Sequence, residues 1–153
     1  MEVAELRQQI LREIGRAQAK AVERRHSGDA AHSAYGIGSP IALGYSNGAN
    51  IAAAILLLRP NTLSGAALLR AMVPLSHPPK VDLSSKRVLM VSGRHDPIIP
   101  HENTARLQGL LSERGADVES HLLPIGHQLS QADLTLARRW IKAPDPAVLD
   151  RAS

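Results

Sequence analysis

Residues 37–60 read IGSPIALGYSNGANIAAAILLLRP, and the order of residue types in that stretch decides the fold. Its first part, 37–43, is a short apolar run interrupted by Ser39 and Pro40. Its last part, 47–58, is an apolar helix rich in alanine and leucine, closed by Arg59 and Pro60. Between them lies Gly44-Tyr45-Ser46-Asn47-Gly48, a G-x-S-x-G pattern set between strand and helix. A strand-to-helix turn this tight strains the serine backbone and exposes its hydroxyl, and the helix amino terminus behind it favours a developing negative charge. Both glycines are expected to be required, because a Cβ at either would meet the neighbouring strand or helix. The Asn47 group expected to face a developing oxyanion is its backbone N–H, so the side chain there says little.

Outward from this turn, strand and helix alternate. A second strand spans 63–69, a proline-rich loop 74–82 and a third strand 88–92. A helix over 100–114 ends at Gly115, a fourth strand covers 117–123, and a last helix covers 130–141. Upstream, Val3, Leu6, Ile10, Ile14 and Ala17 recur at helical spacing, which predicts a helix over 3–25 stopped by Ser27-Gly28-Asp29. The strands read as continuous apolar runs. That pattern belongs to an α/β fold in three layers: a parallel sheet of about four strands with helices on both faces. One domain is expected over 1–142, with a loose tail over 143–153.

In such sheets the chemistry collects in the loops at the carboxyl ends of the strands. The loop after the third strand holds Gly93-Arg94-His95-Asp96-Pro97, and the loop after the fourth holds Gly126-His127. A serine hydroxyl is a weak nucleophile at neutral pH. It needs a base, and the base needs an orienting carboxylate. Ser46, Asp96 and His127 supply the three types from three loops, in the chain order found in serine hydrolases with a nucleophile turn. Each also has a plainer reading. Ser46 fits a buried turn serine, Asp96 before Pro97 fits a turn initiator, and His127 fits a helix cap or a satisfied core histidine. Met72, in the loop after the second strand, fits either an acyl pocket or a gap in the core. His95 and His101 read as surface residues, since no second ligand stands at metal-binding spacing from them on a shared helix.

Composition narrows the classes further. Hydrophobic residues make up 44% and charged residues 21%, which suits a folded domain rather than a disordered one. Cysteine is absent, which excludes disulfides, thiolate zinc sites and a cysteine nucleophile. With no Phe, two Tyr and one Trp, the core must be aliphatic and a base-stacking platform is excluded. The net charge of +4 comes from 18 basic and 14 acidic residues. Over 1–26 the two signs interleave at helical spacing, as on a solvated helix face, so no nucleic-acid partner is expected. The longest apolar run, 51–58, falls far short of the ~20 residues of a membrane span. With Glu2, Glu5 and Arg7 in place of a signal-peptide core, a soluble, cytoplasmic protein is expected.

The stretches GYSNGANIAAAILLLRP, VLMVSGRHDPIIPHENTARLQGLL and GADVESHLLPIGHQLSQADLTLARRWI together resemble the carboxyl-terminal part of the phospholipase/carboxylesterase family of α/β-hydrolases. The likeness covers roughly 36–142. Within the family, GYSNGAN is similar to small carboxylesterase-like hydrolases, some associated with quinone or aromatic-compound metabolism. The resemblance implies a serine ester hydrolase that works through an acyl-enzyme on a small-molecule ester. Ser46 is then the nucleophile, His127 the base, Asp96 its orienting acid and the Asn47 N–H an oxyanion donor, with no metal or organic cofactor. Family members also begin with strands that have no counterpart here, and one early loop there supplies a second oxyanion donor. The chain therefore reads as an amino-terminally truncated hydrolase. The alternative is a catalytically impaired remnant, or an interaction module that keeps the fold. Truncation would also leave the strand over 37–43 at a sheet edge, so a homodimer or other association through that edge is expected.

Overall fold

In the computed structural model, residues 39–144 are described. The expected helix over 3–25, residues 37–38 of the expected first strand, and the tail beyond 144 lie outside them. Four strands form one sheet: β1 (Ile41–Tyr45), β2 (Gly65–Leu69), β3 (Arg87–Gly93) and β4 (Asp117–Leu123). They run parallel in the spatial order β1-β2-β3-β4. Three helices accompany them: α1 (Asn47–Leu58), α2 (His101–Glu113) and α3 (Gln131–Lys142). The elements expected within the described residues are all present, with ends shifted by a few residues. The largest shift is at β1, where Gly44 and Tyr45 continue the ladder opposite Leu68 and Leu69. The strand thus delivers Ser46 directly into the turn.

Side chains of a strand alternate between faces, and here the two faces feed two cores. Ala66 and Leu68 of β2 and Val88 and Met90 of β3 join Leu56, Leu57, Leu107 and Leu111 beneath α1 and α2. Ala67, Leu69, Leu89 and Val91 turn the other way, onto Ala137 and Trp140 of α3. Helices therefore cover both faces of β2 and β3, and this double cover is why those strands read as unbroken apolar runs. Leu56, Leu57, Leu107 and Leu111 are fully buried, and each such side chain is worth about 1.5–3 kcal/mol in transfer free energy.

β4 departs from the expected pattern. Its sequence DVESHLL is polar through the middle, and exposed and half-buried positions mix along it. Among the described residues it is the last strand of the sheet; Val118 still reaches the first core while Glu119 and His121 pair with each other and with Arg139 of α3. Helix ends follow local chemistry. Gly115, at φ 91°, closes α2: its N–H reaches the Ser112 carbonyl, and the Ala116 N–H reaches the Leu111 carbonyl. This pair of bonds caps two carbonyls that the helix leaves unpaired. Arg87 serves the far end of α3, stacking on Trp140 at 4.8 Å and donating to the Trp140 and Ala143 carbonyls. No described helix is long and apolar enough to cross a membrane.

Candidate active site

Ser46 sits between β1 and α1 with φ 53° and ψ −116°, a conformation costly to any residue with a Cβ. A serine in this helix-capping position ordinarily turns its hydroxyl onto an N–H of the first turn. Ser46 does not: its side chain makes no capping bond, and its Oγ lies 3.0 Å from His127 Nε2. The backbone holds the strain in place, since the Ser46 N–H donates to the Leu69 carbonyl at 2.8 Å and the Ser46 carbonyl accepts from Asn50. Asn47 opens α1, where backbone N–H groups have no intrahelical acceptor.

The two glycines of the turn differ. A Cβ on Gly44 would lie 2.5 Å from the Gly48 carbonyl carbon and oxygen and 2.6 Å from the Ala49 nitrogen, so strand and helix touch there. A Cβ on Gly48 would meet nothing within 4 Å. The expectation that both glycines are sterically required is thus corrected: Gly48 matters for the backbone it presents to Gly44. Gly44→Ala is expected to cost about 1–3 kcal/mol or more through overpacking. Gly48→Ala should stay within ~1 kcal/mol of the parent, because alanine favours the helix it enters. Urea unfolding of the two variants checks this.

Asp96 follows β3 and His127 follows β4. His127 Nδ1 is 2.8 Å from Asp96 Oδ2, and both side chains are largely buried. The other carboxylate oxygen accepts from the Ile98 and Ile99 N–H groups at 2.8 and 3.0 Å, so the carboxylate cannot rotate away. Burial pushes the Asp96 carboxyl up. The Ile99 N–H, the His127 ring and the Ile98 N–H outweigh it and hold the group below the ordinary aspartate range. An ionised carboxylate on Nδ1 selects the imidazole tautomer that leaves Nε2 free to accept a proton from Ser46.

Ser46, Asp96 and His127, far apart in the chain, thus form one hydrogen-bonded line across the carboxyl ends of β1, β3 and β4. Met72 is not in that line. It is half-buried in the segment after β2, and its backbone N–H donates to Asn50 Oδ1 at 2.9 Å. The next N–H, of Val73, donates to Asn103 Oδ1 at 2.7 Å, so α1 and α2 together pin the segment. His95 and His101 are exposed, and no cluster of three or more His, Asp or Glu suited to a metal ion occurs among the described residues.

Behind this line stand groups that the sequence motifs did not point to. Arg70, directly after β2, has φ 57° and a fully buried guanidinium paired with buried Asp133 at 2.7 Å. A single arginine closing an apolar strand was the available signal. Ser130-x-x-Asp133 was another, since it has the form of a reciprocal helix cap and both of the cap's bonds are present. Tyr45, directly before Ser46, lies 5.5 Å from the His127 ring and donates its hydroxyl to the His127 carbonyl at 3.1 Å.

Known proteins share this arrangement of elements. The chain is 38% identical over 105 residues to MhqD of Bacillus subtilis (strain 168), a protein named as a hydrolase. That match covers 69% of this chain and 52% of the relative. A carboxylesterase from Bacillus cereus superposes with a TM-score of 0.67 at 37% identity, over 73% of this chain and 54% of that one. A carboxylesterase from Mesorhizobium loti superposes with a TM-score of 0.73 at 34% identity, over 88% and 62%. The chain therefore spans between half and two thirds of the length of these proteins. No protein-family model matches it.

Proposed function

We propose that the protein is a serine carboxylic ester hydrolase, carboxylesterase/phospholipase-like, acting on small-molecule esters, a reading supported by its similarity to carboxylesterases over part of their length. One pair of contacts carries the assignment: the His127 ring reaches Ser46 Oγ with one nitrogen and the Asp96 carboxylate with the other. Ser46 Oγ attacks the ester carbonyl carbon, and its proton passes to His127 Nε2. The oxyanion so formed faces the Asn47 N–H at the start of α1. As the tetrahedral intermediate collapses, the bond to the alcohol oxygen breaks and His127 returns the proton to that oxygen. This leaves an ester on Ser46. Water then attacks the acyl carbon and gives its proton to His127; the bond to Ser46 Oγ breaks, His127 returns the proton to that oxygen, and the acid is released. Asp96 stays ionised throughout and stabilises the imidazolium. Met72, in the segment after β2, is proposed to contact the acyl group.

A fluorophosphonate probe tests this directly, because it reacts with an activated serine whatever ester is natural. Labelling of the parent chain and none of Ser46→Ala is the expected result. An unlabelled parent would favour the second reading, an impaired hydrolase fold kept for interaction. The span of about half to two thirds of the relatives is what supports that alternative. Loss of one oxyanion donor slows turnover by ~10²–10³-fold, so a partial site would still label slowly.

We also propose that the chain associates through β1. Among the described residues this strand pairs only with β2, and Ile41, Leu43 and Tyr45 are exposed, Leu43 at 58%. Such an edge offers unpaired backbone groups to a second strand. Sedimentation at micromolar concentration is expected to find dimers or larger species, weakened by Leu43→Lys. A monomer at every concentration would remove the proposal.

A further inference from the structure

The loop that carries His127 is held by its carbonyls. Four in succession accept hydrogen bonds from outside the loop. The Ile125 carbonyl accepts from the His95 N–H at 3.0 Å, and the Gly126 carbonyl from Arg70 Nε at 3.1 Å. The His127 carbonyl accepts from the Tyr45 hydroxyl at 3.1 Å, and the Gln128 carbonyl from Arg70 Nη2 at 3.0 Å. One guanidinium therefore grips the peptide groups on both sides of His127. The same guanidinium donates to the Val91 carbonyl of β3 at 3.2 Å and to both oxygens of Asp133 at 2.7 and 3.0 Å.

We infer that Arg70 is a positioning residue: its fork, neutralised by Asp133, sets the His127 imidazole against Ser46 and Asp96. The inference rests on the proposed triad and concerns how its base is held. Three features argue that the arrangement serves the loop rather than stability alone. A buried ion pair is often no better for stability than a well-packed apolar pair of similar volume, so burial does not explain its presence. A planar fork with donors at fixed angles can serve a strand, a helix cap and two loop carbonyls at once, which a lysine point charge cannot. Finally, Arg70 adopts a left-handed backbone at φ 57°, costly for a residue with a Cβ, directly after the strand beside Ser46. That turn sends the side chain inward, beneath the His127 loop.

The test is a double variant, Arg70→Met with Asp133→Leu, which removes both charges and leaves neither unpaired. Thermal unfolding and circular dichroism report the fold, and ¹⁵N imidazole resonances of His127 report its tautomer. The parent is expected to show one tautomer, protonated on Nδ1. The double variant is expected to keep the fold and show a tautomer mixture. Its kcat for an aryl ester should fall by about 10–100-fold with KM little changed, as displacement of a catalytic group by ~1 Å would produce. If the double variant does not fold, Arg70→Lys serves: it keeps the charge beside Asp133 but loses the fork, and the same mixture is expected. A single unchanged tautomer in a folded variant overturns the inference, as does a mixture in the parent. A parent that fluorophosphonate fails to label overturns the ester-hydrolase reading instead, and the imidazole resonances still decide the role of Arg70.

Discussion

Ser46→Ala is expected to abolish fluorophosphonate labelling and to lower aryl-ester hydrolysis to the rate left by binding and the oxyanion donor. For a working triad this is a loss of about 10⁴-fold or more. His127→Ala should cost nearly as much, because Ser46 then has no group 3.0 Å away to take its proton. Asp96→Asn is the more informative change. Its amide would still fill the site and one oxygen could still accept from Ile98 and Ile99, but it would favour the wrong imidazole tautomer. A loss approaching 10⁴-fold with the fold intact is expected there too. Residues that act as a unit are not additive, so the Ser46→Ala/His127→Ala pair should be hardly slower than either alone. Steady-state kinetics on the four chains checks the set. A His127→Ala variant at parental rate would remove the mechanism.

Breaking the buried pair from one side is expected to be the most damaging change to stability. Arg70→Met leaves the Asp133 carboxylate buried with only Ser130 to satisfy it, and Asp133→Asn leaves the guanidinium without its counter-charge. An uncompensated buried charge costs about 3–5 kcal/mol. For a domain of this size that lowers Tm on the order of 10 °C or more. The double replacement should recover most of it, which separates the cost of an orphaned charge from the worth of the pair. pH adds a second signature. Burial pushes the Asp133 carboxyl up, but Arg70 and the Ser130 N–H and hydroxyl hold it below the ordinary range. A carboxyl whose folded value is depressed stabilises the protein fully above its unfolded value, near ~3.9, and loses that contribution as pH falls through the lower folded value. Asp96 is shifted in the same direction. The parent is therefore expected to lose Tm steeply in acid below about pH 4, and the Arg70→Met/Asp133→Leu chain less steeply. Melts across that range compare them. Equal slopes would mean that Asp133 titrates as it does in the unfolded chain.

What the sequence determined by itself was local or periodic. The apolar runs at 65–69 and 88–91, the Ala- and Leu-rich helix after Ser46, and the glycine that ends α2 follow from side-chain volume, helix propensity and allowed φ. These act within a few residues, and they were legible for that reason. The G-x-S-x-G turn was legible too, as were the loops holding Asp96 and His127, because strand ends in a parallel sheet gather on one side. Tertiary structure decided the rest. Only the sheet order puts β1, β3 and β4 where three loops meet, and only the packed backbone makes Gly44 indispensable while leaving Gly48 open. β4 reads as a buried strand in the sequence, but its place at the end of the described sheet leaves its middle only half-buried. Arg70 and Asp133, 63 residues apart, carried no mutual signal in the chain. A buried charge is tolerated only where a counter-charge and several acceptors converge on it, and that convergence exists only once the chain has folded.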